Sequence, residues 1–114
     1  MIISSEKMKQ ETKDSMRGGK GSIDILHLVE PPVLRNGRLF AKVTIPPGSS
    51  IGEHQHQDET EYYVFLEGEG LAIDNGEENP VKAGDVMITR EGGTHSIKNN
   101  STDPLVLMAV ILND

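Results

Sequence analysis

A chain of 114 residues with a net charge of -7 has the length of one domain and repels a nucleic-acid backbone, with only the short run 17–20 offering local basic charge. It has no cysteine, which excludes disulfides, thiolate ligands and a thiol nucleophile. The longest apolar run, 105–112, is far shorter than the ~20 residues a membrane helix needs. MIISSEKMKQ carries no secretory apolar core, so a soluble cytoplasmic protein with no membrane or nucleic-acid partner is expected.

Residues 1–22 are polar, without an apolar stripe, and include the flexible run GGKG; they are expected to form an N-terminal arm, with a brief strand at 1–3 or a short surface helix. From Ile23 the texture changes to short β-rich runs separated by turn residues, which defines a second segment, 23–114. IDILHLV is the first strand and stops at Pro31 and Pro32. RLFAKVTI follows Asn36-Gly37, the strongest hairpin signal in the chain, and ends at Pro46-Pro47-Gly48. On it, Leu39, Ala41, Val43 and Ile45 form the expected inward set, with Arg38 or Lys42 available at a pocket mouth to hold an anion.

A strand carrying His54 comes next, then YYVFLEG, GEGLAID ending at Asn75-Gly76, a strand near Val81, VMIT, HSIKN and PLVLMAVIL. Eight or more strands with no internal helix predict an all-β fold, either an antiparallel double-sheet jelly roll or a small closed barrel. The last strand is apolar at every position from 105 to 112, so both of its faces must be covered. One face is assigned to the core and the other to a second copy in a twofold homodimer; the N-terminal arm is the alternative cover.

The chemistry concentrates in two stretches. His54 and His56 alternate on one strand face, so both imidazoles address one point, as in a metal chelate, and His95 supplies a third from a distant segment. Written as spacing, the stretches are Gly48-x5-His54-x-His56-x4-Glu61-x6-Gly68 and Gly84-x5-Arg90-x-Gly92-x2-His95-x3-Asn99. They resemble the two motifs of the cupin superfamily, with Arg90 where the family usually has proline. The resemblance extends from about Ile23 to the C-terminus and is closest to small single-domain cupins described as oxalate-decarboxylase-like or sugar-phosphate-isomerase-like.

It implies a double-stranded β-helix, the jelly-roll cupin barrel, with His54, His56, Glu61 and His95 as ligands of a divalent transition metal. Three imidazoles and a carboxylate suit Mn, Fe, Zn or Ni, and an octahedral ion so held keeps two positions for a ligand. The expected partner is a small, anionic molecule. The leading expectation is a metalloenzyme acting on a chelated carboxylate or enediol, with a dioxygenase and a non-catalytic ligand-binding cupin as alternatives. Glu61 and Tyr63 are the candidate catalytic residues, because alternation from an inward Glu61 turns Tyr63 and Phe65 the same way. The four motif glycines and Asn99 are assigned to turns, Arg90 to solvent, and His27 to packing or the pocket rim.

Overall fold

The computed structural model describes all residues, Met1–Asp114, and consists of two facing antiparallel sheets. Ten strands form in chain order: β1 (Lys9–Asp14), β2 (Ser22–His27), β3 (Gly37–Ile45), β4 (Ser50–Gln55), β5 (Glu59–Glu67), β6 (Glu69–Asp74), β7 (Glu77–Lys82), β8 (Val86–Thr89), β9 (Thr94–Lys98) and β10 (Leu105–Asn113). The larger sheet has the order β1-β2-β3-β10-β5-β8 and the smaller β4-β9-β6-β7. This is the jelly roll expected from the strand pattern. No helix is long and apolar enough to cross a membrane.

Alternation decides which side chains fill the space between the sheets. Ala41, Val43 and Ile45 of β3 are buried and Leu39 is half-buried, while Phe40, Lys42 and Thr44 point the other way. On β10 the inward set is Leu105, Leu107, Ala109 and Ile111. Leu105, Leu107 and Ala109 meet Ile51, Ala72 and Ile97 of the smaller sheet, together with Phe65, in one apolar cluster. Each large aliphatic or aromatic side chain so enclosed contributes about 1.5–3 kcal/mol of transfer free energy.

Two local features differ from the sequence expectation. The strand expected at 1–3 is absent, and the 1–22 segment instead supplies β1, which adds to the edge of β2 in the register Lys9↔His27 to Asp14↔Ser22. KQETKD lacks apolar alternation because an edge strand can be held by main-chain hydrogen bonds alone. Asn36 adopts a left-handed conformation, but the connection it ends spans 28–36, because the prolines divert the chain well before β3 begins. The tight two-residue hairpin is at Asn75-Gly76, both with positive φ, joining β6 to β7.

Asn99 binds its turn as anticipated. Its amide donates to the carbonyls of Ile45 and Asp103, each at 2.8 Å, and its oxygen accepts from Ser101.

β10 lies between β3 and β5, and its outer residues Met108 and Val110 sit beside Val64 and Tyr62. Continuing outward, Val86 and Ile88 of β8 are exposed, so an apolar face spans three neighbouring strands. The N-terminal strand does not cross this face; it prolongs the opposite edge of the sheet.

Candidate metal centre

The centre sits between the sheets, where β4 and β9 face β5. His54 pairs directly with His95 across β4 and β9. Upstream, Ile51 pairs with Ile97, so β4 has one more residue than its partner between these pairs, a bulge at Gly52-Glu53. Strict alternation from the buried Ile51 would turn His54 outward; the extra residue reverses the parity and brings the imidazole in. His56 lies just beyond β4 and is held by backbone bonds to the 90–93 turn, with His56 N donating to Gly93 O and Gly92 N to His56 O. Glu61 arrives from β5, opposite Thr89 and Ile111.

All four groups predicted as ligands come together, with one donor atom from each lying within 4.8 Å of every other. His56 Nε2 is 2.8 Å and His95 Nε2 3.0 Å from Glu61 Oε1, and His95 Nε2 is 3.0 Å from Nε2 of both His56 and His54. Metal bonds of about 2.1 Å place adjacent octahedral ligands ~3.0 Å apart and tetrahedral ones ~3.4 Å apart. The four spacings of 2.8–3.0 Å are close to the octahedral edge. His54 to Glu61, at 4.0 Å, is close to the ~4.2 Å expected for an opposed pair.

The far ring nitrogens select the tautomers. His54 Nδ1 donates to the carbonyl of Gly52 at 2.8 Å, and His56 Nδ1 donates to Glu59 Oε2 at 2.6 Å. A neutral imidazole that donates through Nδ1 presents a bare lone pair at Nε2, so two such lone pairs and a carboxylate converge on one point. His95 Nδ1 is bonded to Thr89 Oγ1 at 2.8 Å, and its ring stacks on Tyr63 with centroids 5.0 Å apart. This donor set fits a divalent transition metal.

Ionisation follows from the same contacts. Burial pushes the His54 imidazole below its usual value. The hydrogen bond to Glu61 raises His56 above its usual value, so a proton at its Nε2 competes with a cation for that lone pair. Burial opposes ionisation of Glu61, but hydrogen bonds from His56 and His95 together outweigh it and keep the carboxyl below the usual range. Burial drives the Tyr63 phenol well above its ordinary value, so it remains a protonated donor.

A cavity of about 500 Å³ leads to the centre, lined by His54, His56, Glu61 and Tyr63. His27 is on its wall, paired with Glu11 at 2.9 Å, which agrees with a rim position. Neither suggested anion-binding cation is free to serve. Arg38 is locked to Glu59 by two bonds of 2.8 Å, and Lys42 is on the outer face opposite Met108. Glu59, drawn down to about 2 by Arg38, instead orients His56. Sequence reasoning missed Glu59, Thr89 and Glu11; alternation from Glu61 was a usable signal for Glu59. Arg90 is exposed, as expected.

Comparison with known proteins agrees with this architecture. The family model for the cupin domain matches residues 41–111. The chain belongs to the cupin family. This cupin is 44% identical over 113 residues to the oxalate-binding protein of Thermotoga maritima, covering 98% of this chain and 93% of that protein. The crystal structure of a predicted oxalate decarboxylase from Thermotoga maritima superimposes with a TM-score of 0.95 at 43% identity, with 100% of both chains covered. A cupin-superfamily sugar phosphate isomerase from Silicibacter pomeroyi, at 18% identity and a TM-score of 0.81, shares the fold across 100% of this chain and 76% of its own.

Proposed function

We propose that this cupin holds one divalent transition metal, Mn, Fe, Zn or Ni, on His54, His56, Glu61 and His95, and binds a small chelating carboxylate such as oxalate beside it. The observation that carries the reading is the convergence of three imidazole nitrogens and a carboxylate within 4.8 Å at the end of an open cavity. Bound there, the ion would supply Lewis-acid charge to two ligand oxygens at positions the four side chains leave free. The name of the Thermotoga maritima relative, an oxalate-binding protein, supports the same ligand class.

The chain's own residues complete the site. Glu59 fixes His56 in the ligating tautomer, Thr89 and Tyr63 hold the His95 ring, and Ile23, Ile25 and Val43 form an apolar wall. A catalytic reading, in which the carboxylate or an enediol is cleaved or rearranged, has one favouring observation: the Tyr63 phenol lines the cavity and retains its proton, ready to bond a developing oxyanion. The apolar outer face around Met108, Val64 and Ile88 supports a homodimer.

Calorimetric titration of metal-loaded and metal-stripped protein with oxalate, an α-hydroxy acid, acetate and a neutral sugar tests the proposal. Binding of the chelators alone, and only with metal, is the expected result; release of carbon dioxide from oxalate then separates an enzyme from a binder. Equal binding of the sugar without metal would overturn the chelate model.

A further inference from the structure

The turn between β1 and β2 carries a cation that the fold does not use. Arg17 lies in a short 3₁₀ turn, Met16–Gly18, and lines the same cavity as His54, His56 and Glu61. Its backbone is left-handed, as is that of Ser15, and the turn is closed by Gly18 N to Ser15 O and Gly19 N to Met16 O, both 2.9 Å. The turn is clamped onto β4. Lys20 N donates to Ser50 Oγ and Ser50 N to Lys20 O, each at 2.9 Å, and the Arg17 carbonyl rests on Gly52 where a side chain would collide. Gly52 is also the residue whose carbonyl orients His54, so the turn and the ligand share one anchor.

Two other cations of the cavity wall are already paired. Arg38 is bound by Glu59, His27 by Glu11, and Asp14 accepts from Ser22, whereas no carboxylate lies within 4.0 Å of the Arg17 guanidinium. Lys13 also lines the cavity without a salt-bridge partner, but from edge strand β1, whereas Arg17 is on the turn clamped to β4 beside His54.

A divalent ion on three neutral imidazoles and Glu61 carries a net charge of about +1, so a bound dianion would leave about -1 in a partly enclosed site. One free guanidinium restores neutrality and matches the geometry of carboxylate oxygens.

We propose that Arg17 is the specificity residue of this site, a cation on the β1–β2 turn that pairs with the uncoordinated oxygens of a dianionic chelate such as oxalate. The inference rests on the chelate reading above and deepens it. The test is calorimetric titration of Mn(II)-loaded wild type, Arg17→Gln and Arg17→Lys with oxalate and with acetohydroxamate, a monoanionic chelator that has no free carboxylate oxygen. Arg17→Gln should weaken oxalate about 10–100-fold, Arg17→Lys should recover part of that loss, and acetohydroxamate should bind all three within about threefold.

Unchanged oxalate affinity in Arg17→Gln overturns the assignment while leaving the chelate reading intact. Parallel loss of both ligands also overturns it, since that reports damage to the turn. Failure of the loaded wild type to bind oxalate removes the chelate reading and this inference with it.

Discussion

Replacing Glu59 by Gln probes the support of the centre without touching a ligand. Three N–H groups meet on the Glu59 carboxylate: His56 Nδ1 at 2.6 Å, and Arg38 Nε and Nη2 at 2.8 Å each. A glutamine has one oxygen and one amide nitrogen in that place. If its oxygen faces His56, its NH₂ confronts the guanidinium; if it flips, the NH₂ faces Nδ1 and forces the imidazole proton onto Nε2, where the metal lone pair is needed. Either arrangement raises the cost of the ligating tautomer. Partners of ligating histidines are worth about 10–100-fold in metal affinity, or about 1.4–2.8 kcal/mol, and the loss of the carboxylate charge together with one acceptor oxygen puts Glu59→Gln within that range. Competition against a chromophoric chelator measures it, with thermal melting as the check on folding. A folded Glu59→Gln protein that binds metal within about twofold of wild type would refute the orienting role.

Three further outcomes follow from the same contacts. Metal affinity should rise with pH through 6.5 and continue rising above it, because the raised His56 retains a competing proton there; an affinity that stays flat between about pH 6 and pH 8 contradicts this. Asn99→Ala leaves the carbonyls of Ile45 and Asp103 without their donor and should cost about 1–3 kcal/mol in urea unfolding, where a shift below about 0.5 kcal/mol would count against it. Val64→Lys or Met108→Lys, placed at the centre of the outer apolar face, should convert a dimer to a monomer in sedimentation at micromolar concentration, and a monomeric wild type would remove the dimer reading.

The barrel was legible because its strands alternate: inward Ala41, Val43 and Ile45 and the uniformly apolar β10 leave little freedom in how the sheets face each other. The clustering of His54, His56, Glu61 and His95 was legible from type and spacing, although simple alternation does not contain the device that turns His54 inward. That device is a one-residue bulge, and its visible trace was Gly52, a residue without a side chain just before the histidine.

Arg38 was misjudged for a related reason. Leu112 pairs with Gly37 and Ile111 with Leu39, so Arg38 is an extra residue in the ladder and is released to reach Glu59. A register shift of this kind depends on the partner strand and leaves no mark in local sequence. β1 and Arg17 were hidden by polarity: KQETKD is placed by the open edge of β2 and its turn by a glycine-to-glycine contact with β4, both of them long-range facts.

Metal content tests the proposed four-residue centre most directly. Protein stripped and then offered Mn, Fe, Ni or Zn should take up one equivalent per chain of at least one of them, and His54→Ala, His56→Ala, Glu61→Ala and His95→Ala should each reduce that uptake while the fold persists. Folded wild-type protein that takes up none of the four metals, or a quadruple alanine variant that still holds one equivalent, would contradict it.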